Sequence, residues 1–159
     1  MRRRIVQLAL AAAAPVLLTS CMSSTSSKVF SAINTDRVAN GVKALRPNDA
    51  LNTKAEGWAS HLLAASNNVC SSTTLVHSTL SDGKPANSSA LAENVGCMVA
   101  RVENDQVISI METGFMNSPG HRTNILNPTY THGGAGYASK KLPNGTFLIF
   151  ETHEFAQIG

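Results

Sequence analysis

The most informative segment of this 159-residue chain reads Phe115-Met116-Asn117-Ser118-Pro119-Gly120-His121-Arg122-Thr123-Asn124-Ile125-Leu126-Asn127-Pro128. Upstream of it, apolar residues recur at helical spacing from Val107 to Met116, and the Ser-Pro-Gly at 118–120 predicts the end of that helix. Downstream, the pattern changes to that of strands, over residues 135–138 and 146–156. The segment therefore marks the boundary between a helical part of the chain and a sheet.

The rest of the chain extends this pattern in both directions. Asn144-Gly145 lies between the two predicted strands and is typical of a type I′ hairpin turn. Residues 147–150 are all apolar, which predicts that both faces of the second strand are covered. Two earlier helices are predicted, one from about Val29 to Val42 and one from about Leu51 to Ser66, followed by a polar loop to about residue 90. Helices that precede a covered antiparallel hairpin predict an α+β sandwich.

The first 20 residues have the features of a signal peptide. Three arginines precede an apolar run that is shorter than the roughly 20 residues a membrane span needs. The run ends in Leu18-Thr19-Ser20-Cys21, which resembles a bacterial lipobox, the site at which a cysteine is diacylated and becomes the new N-terminus. The alternative is secretion with cleavage near Ser20 and a free Cys21. We predict a signal peptide over 1–20, a Ser/Thr-rich tether over 21–27 and one domain over 28–159.

The net positive charge of the chain comes from its signal peptide and does not indicate a binding partner. The 13 basic residues include the three arginines of the signal, and their removal leaves ten basic residues against ten acidic ones. A balanced domain without a Lys/Arg cluster has no electrostatic footprint for nucleic acid. We therefore expect no nucleic-acid partner.

The three cysteines have two different predicted roles. If Cys21 carries lipid, Cys70 and Cys97 remain as a pair, which suits an oxidising compartment outside the cytoplasm. Closing such a loop stabilises a fold by roughly 3 kcal/mol in the chain-entropy model. The alternative is a metal site, but two cysteines this far apart without a CxxC form a poor zinc pattern. The sequence favours a Cys70–Cys97 disulfide.

Five segments, in order along the chain, resemble the motifs of the CAP family, the SCP-like cysteine-rich secretory proteins. They are Asn34-Thr35-Asp36-Arg37 (N-x-x-R), His77-Ser78-Thr79-Leu80-Ser81-Asp82-Gly83 (HxxxSDG), Ala92-Glu93-Asn94-Val95 (GEN[IV]), the segment 115–128 quoted above (WMNSPGHRxNILNP) and Gly134-Ala135-Gly136-Tyr137 (GVGY). The resemblance covers essentially all of the mature chain. It implies a three-layer α-β-α sandwich with a C-terminal β-hairpin.

The resemblance also implies a site. In CAP domains two histidines and two glutamates line a cleft, and His77, Glu93 and His121 match three of those positions. Imidazoles bind zinc and a nearby carboxylate can ligate or orient water, so His77 and His121 are candidate zinc ligands, although no cofactor is required. Ser118 stands where eukaryotic members carry the second glutamate, and we expect it at the wall of the cleft. The alternative is that these residues only complete local hydrogen bonds.

The last strand carries further polar residues. Alternation along the strand places Glu151 and His153 on one face and Glu154 on the other. A carboxylate and an imidazole on a covered face are costly when unpaired. Glu151 and His153 are expected either to pair with each other, which we favour, or to supply the polar group that Ser118 cannot.

No motif in the sequence marks a nucleophile with its base, since GxSxG, HExxH and a catalytic Cys-His signature are all lacking. Ser118 precedes His121 by three residues, but a serine at such a turn is more often a helix cap. CAP relatives are mostly discussed as binders of sterols or other lipids. The leading prediction is a monomeric, non-catalytic binding module for a lipid or another envelope ligand. The alternatives are a metal-assisted, peptidase-like periplasmic hydrolase, and a module that recognises protein or glycan and has a vestigial cleft.

The predicted location follows from the lipobox. An acylated Cys21 would anchor the exported domain to the cell envelope, with the membrane as a partner through the lipid chains. Met22 at the second mature position resembles an outer-membrane address, because the inner-membrane signal there is usually aspartate. We predict a bacterial outer-membrane lipoprotein.

Overall fold

The computed structural model describes residues 22–159, so the predicted signal peptide and Cys21 lie outside the described residues. Four helices and four strands follow one another as α1 (Ser24–Ala39), β1 (Arg46–Pro47), α2 (Asp49–Ala65), β2 (Ser88–Ala100), α3 (Asp105–Asn117), α4 (Pro119–Ile125), β3 (His132–Lys141) and β4 (Phe147–Ile158). Within residues 22–159, no helix has both the length and the apolar character that crossing a membrane requires.

The four strands form one sheet in the order β1-β3-β4-β2. Strand β4 pairs antiparallel with β2 and with β3, and the short β1 pairs parallel with β3. Helix α2 packs on one face of the sheet, while α1, α3 and α4 cover the other. This is the three-layer α-β-α sandwich that the motifs predicted.

Glycines in β3 let α2 approach the sheet closely. A Cβ on Gly134 would lie 2.3 Å from the backbone of Leu51, and one on Gly136 would lie 2.1 Å from the carbonyl oxygen of Ala55. The same carbonyl accepts a hydrogen bond from the hydroxyl of Thr152 on β4. The Gly-x-Gly-Tyr motif is therefore a packing requirement, because no side chain fits between strand and helix.

The opposite face is tied together by Arg37 at the end of α1. Its side chain is fully buried, and its guanidinium donates to four backbone carbonyls. These carbonyls belong to Lys43, Ile125, Asn127 and Tyr130. The arginine of the N-x-x-R motif thus fixes α1 to the connection between α4 and β3.

Helix α1 begins earlier than predicted. The Ser23 hydroxyl accepts a hydrogen bond from the Ser26 N–H and caps a helix that starts at Ser24. The backbone N–H of Ser23 in turn donates to Glu56 on α2. The predicted flexible tether over 21–27 is therefore wrong for Ser24 onward, because serines that resemble a linker in composition serve here as cap and first turn.

The hairpin turn also differs from its prediction. Gly145 has a positive φ of 85°, but among the described residues Asn144 does not, as a type I′ turn at this pair would require. Instead the Gly145 N–H donates to the Leu142 carbonyl, which makes Pro143 and Asn144 the central residues of the turn. Proline favours the first central position of a type I turn, and this preference overrides the Asn-Gly signal.

Cys70 and Cys97 form a disulfide, as the sequence favoured. The bond ties the long loop that follows α2 to strand β2. Both cysteines pack against a small apolar cluster around Leu62 and Leu148. The bond holds one end of the loop that carries His77.

Candidate functional site

Glu93 on β2 is the focus of a buried polar cluster on the α2 face of the sheet. Its side chain accepts from the backbone N–H of Ser78 at 2.9 Å and from the Ser78 hydroxyl. His77 Nδ1 lies 2.8 Å from Glu93 Oε1. Glu93 is buried, whereas the His77 side chain is 58% exposed. The loop after α2 thus folds over the sheet and forms hydrogen bonds with one buried carboxylate.

A second buried carboxylate lies beside the first. Glu154 on β4 is the direct cross-strand partner of Glu93, and its Oε2 lies 3.2 Å from Lys54 Nζ on α2. Burial and the neighbouring Glu93 raise the pKa of Glu154 to about 9, in spite of Lys54. Burial also acts to raise the pKa of Glu93, but hydrogen bonds from Glu154, Ser78 and His77 hold it below its usual value. At neutral pH the pair therefore shares one proton, which resides on Glu154.

His121 lies on the other side of the sheet, in the first turn of α4. Its ring meets Phe115 edge to face, with ring centroids 5.1 Å apart, and its carbonyl accepts from the side chain of Asn94. Burial lowers the pKa of His121, and the charges of His153 and His77 lower it further. Because Glu93 and Asn94 are consecutive in β2, they point to opposite faces. The His77–Glu93 contact and the backbone of His121 thus lie against opposite faces of the edge strand, although His77 is near enough to influence the pKa of His121.

The predicted cleft residues are therefore brought together only in part. His77 and Glu93 meet directly, but within residues 22–159 the ligand atoms of His77, Glu93 and His121 do not all come within 4.8 Å of one another. Zinc at His77 and His121 therefore stays a prediction. Ser118 ends α3 and precedes α4: its N–H donates to Phe115 and its carbonyl accepts from Arg122, which is the role of a helix cap.

A second buried cluster, on the face covered by α1, α3 and α4, joins Glu112 with Glu151 and His153. His153 Nε2 lies 2.9 Å from Glu151 Oε1 and 3.1 Å from Glu112 Oε1. All three side chains are buried. The expected pairing of Glu151 with His153 is confirmed. Glu112 is an addition that none of the sequence motifs indicated.

A signal for Glu112 is nevertheless present in the sequence. It lies four residues after Ile108 and three before Phe115, both buried in α3, so it belongs to the apolar face of that helix. A glutamate on such a face requires a buried partner. The partner could not be identified from α3 alone, because it comes from β4.

The second cluster is enclosed by an aromatic ring. The Phe115 ring centroid lies 4.4 Å from that of His153, and a Cβ on Gly96 would lie 2.6 Å from the Phe115 ring. Burial raises the pKa of Glu151. Burial alone would lower the pKa of His153, but the carboxylates of Glu112 and Glu151 outweigh it and raise that pKa. The imidazole is thus held between two acids in a site closed by Phe115.

A groove between α1 and α3 leads to this cluster. It has a volume of about 580 Å³ and includes Ala32, Ile108 and Met116 among its walls, with Glu112 also in the lining. An exposed ion pair between Lys28 and Asp105, at 2.6 Å, lies on the same groove. Its volume is within the range of small-molecule sites, and its walls are partly apolar.

The fold and the loop that grips Glu93 define a domain of the CAP class, in which helices cover both faces of a small sheet. The family model of the cysteine-rich secretory protein family, CAP, matches residues 30–150. The chain belongs to this family.

Solved structures agree with the fold. The chain is similar to an outer surface protein from Borrelia burgdorferi, with a TM-score of 0.61 and 15% identity over 86% of this chain and 96% of that one. It is also similar to an extracellular protein containing an SCP domain from Bacillus anthracis, with a TM-score of 0.61 and 22% identity over 86% of this chain. A cysteine-rich secretory protein from Staphylococcus aureus has a TM-score of 0.54 and 20% identity over 90% of this chain. The chain spans 41% of the Bacillus and of the Staphylococcus proteins. No curated protein sequence matches this chain.

Proposed function

We propose that this protein is an exported, envelope-anchored CAP domain that binds an amphipathic lipid in the groove between α1 and α3, without catalysing a reaction. The observation that carries the proposal is the groove itself. Its apolar side chains Ala32, Ile108 and Met116 suit an acyl or sterol body, and Asp36 offers a polar group to a headgroup. The family resemblance had pointed to a cleft at His77, Glu93 and His121, but their ligand atoms do not all come within 4.8 Å of one another, which favours the groove.

The position of the groove relative to Cys21 supports a lipid as the ligand. Ser27, Lys28 and Ser31, in the first turns of α1, line the groove. Helix α1 begins three residues after Cys21, and three extended residues span at most about 10 Å. An acylated Cys21 would therefore hold one end of the groove close to the membrane that supplies the ligand.

Export has two kinds of support. The first 20 residues match a signal peptide, and two structurally similar proteins are described as an outer surface protein and an extracellular protein. Anchoring to an outer membrane rests on the lipobox and on Met22. Two or three acyl chains would anchor the domain stably, whereas one gives only marginal binding.

Titration with a fluorescent fatty-acid probe tests the groove. In Ala32→Trp the indole would fill the space between α1 and α3, so we expect the probe to lose its binding to this variant. The matched control is Val38→Trp, on the same helix but outside this groove and 61% exposed, which should bind as the wild type does. Equal binding by all three proteins, with equal melting temperatures, would assign the probe to another surface and contradict the proposal.

A further inference from the structure

The cluster of Glu112, Glu151 and His153 is incomplete as a hydrogen-bonding network. His153 Nε2 has one hydrogen to offer, which it directs to Glu151, although Glu112 Oε1 is also only 3.1 Å away. Both oxygens of Glu112, Glu151 Oε2 and His153 Nδ1 are buried without a hydrogen-bond partner among the described residues. Unpaired buried polar atoms are costly, and carboxylates more so than neutral groups.

The surroundings add no cation from a side chain. The ion pairs among residues 22–159 bring no lysine or arginine to Glu112 or Glu151. Asp36 on α1, which interacts electrostatically with Glu112 and His153, is acidic. Two carboxyl groups therefore converge on one imidazole nitrogen, and a protonated His153 is the only positive charge that a side chain brings into contact with them among residues 22–159.

We propose that Glu112, Glu151 and His153 form a binding site for a divalent metal ion, with zinc as the ion that this donor set favours. The three donor atoms, one per residue, lie within 4.8 Å of one another. Zinc binds imidazole nitrogen at about 2.0–2.1 Å and carboxylate oxygen at about 2.0–2.2 Å, so ligands around it are a few ångströms apart, as these are. The imidazole favours zinc over magnesium or calcium, which prefer oxygen ligands alone.

A divalent ion would replace the protons that otherwise lie between the imidazole and the two carboxyl groups. A divalent cation neutralises two carboxylates and leaves the imidazole neutral, with its Nε2 lone pair on the metal in place of the hydrogen. Three protein ligands leave a fourth position open. Glu112 lines the groove between α1 and α3, which gives the ion a route to the cluster. This site shares no residue with the His77 and His121 pair that the family resemblance suggested.

Two titrations of the metal-free protein test the site, one with zinc followed by calorimetry and one with cobalt followed by visible absorption. We expect the wild type to bind one equivalent. Glu112→Gln keeps the shape of the side chain but removes its charge, and should weaken binding by at least the ~10–100-fold that loss of an outer-shell partner costs. His77→Ala is the matched control and should bind as the wild type does. Absence of binding to the wild type, equal binding by Glu112→Gln, or loss of binding in His77→Ala would each overturn the proposal.

A second measurement needs no substitution in the cluster and so does not depend on the folding of a variant. Imidazole nitrogen resonances of the five histidines, recorded on the wild type with and without zinc, report which ring is ligated. We expect the Nε2 resonance of His153 to shift at one equivalent while those of His77 and His121 stay in place. A shift at His77 or His121 with none at His153 would show that the ion binds elsewhere.

Discussion

Glu93 and Glu154 face each other as direct partners across β2 and β4, and both side chains are buried on the same face of the sheet. Two adjacent carboxylates in such a place do not both ionise near neutral pH. The contacts decide which one keeps the proton: Glu93 accepts hydrogen bonds from the loop, and Glu154 has only Lys54 as a counterion. The hydrogen bonds from the loop to Glu93 therefore help to keep the proton on Glu154.

Glu154→Gln should flatten the dependence of stability on pH between about 5 and 9. Glu154 has an ordinary pKa of 4.5 in the unfolded chain and about 9 in the fold, next to Lys54 and Glu93. Between these values the folded state retains a proton that the unfolded state has released. The free energy of unfolding should therefore fall as the pH rises, by up to about 1.4 kcal/mol per pH unit for one proton. Urea unfolding at pH 5, 7 and 9 measures this slope.

Glutamine in place of Glu154 does not titrate, so the slope over this range should diminish in the variant. Asp82→Asn, which alters an exposed carboxyl group in the loop, is the control and should leave the slope unchanged. If Glu154→Gln and the wild type lose stability equally between pH 5 and 9, Glu154 does not hold the proton.

Alanine should have opposite effects at two glycines that α2 and β3 place near each other. A Cβ on Gly136 would lie 2.1 Å from the Ala55 carbonyl oxygen, so Gly136→Ala should destabilise the protein by about 1–3 kcal/mol or more. Gly57 lies inside α2 with nothing within 4 Å of its added Cβ, and Gly57→Ala should stabilise by about 0.5–1 kcal/mol. Thermal unfolding of both variants checks the two signs, and a stable Gly136→Ala would mean that α2 does not pack this closely.

Removal of the disulfide should cost about 2–4 kcal/mol of the free energy of unfolding. The double variant Cys70→Ala, Cys97→Ala opens a loop of sequence separation 27 between α2 and β2. Denaturant unfolding with and without reductant measures the effect, since reductant should destabilise the wild type but not the double variant. Equal stability of the oxidised wild type and the double variant would show that the bond does not constrain the fold.

Cys21→Ser should release the protein from the membrane. Acyl chains on Cys21 are the proposed anchor, and serine cannot carry them through a thioether. Fractionation of cells that express each form, with immunodetection, should find the variant outside the membrane pellet. Retention of Cys21→Ser in the pellet would instead indicate an uncleaved signal segment as the anchor.

The parts of the structure that the sequence predicted are those with local signals. The end of α3 at Ser118, the disulfide and the alternation of Glu151 and His153 with Glu154 each follow from neighbouring residues. Strand β2 was not recognised as a strand, because both of its faces are buried over residues 92–95 and its sequence does not alternate. The preceding polar loop gave no indication of where it begins.

The site was harder to predict, because its geometry depends on which face of an edge strand each residue occupies. The motif residues Glu93 and His121 are 28 positions apart, and only the packing of α4 beside Asn94 places them on different sides of β2. Similarly, Glu112 meets His153 only because α3 lies over β4. Tertiary packing decides which of these side chains meet. The family motifs do not include Glu112 or the polar residues of β4, so they could not predict these contacts.

If Cys21 is acylated as proposed, the short connection between it and α1 would restrict where the protein can act. The backbone N–H of Ser23 donates a hydrogen bond to Glu56 and so belongs to the folded domain. An acylated chain would therefore have only Cys21 and Met22 between the lipid and that domain. The domain would then stay close to the bilayer surface. Lateral diffusion in the membrane would determine how often it meets its ligands. Molecules deeper in the envelope would have to reach the membrane surface before they could meet it.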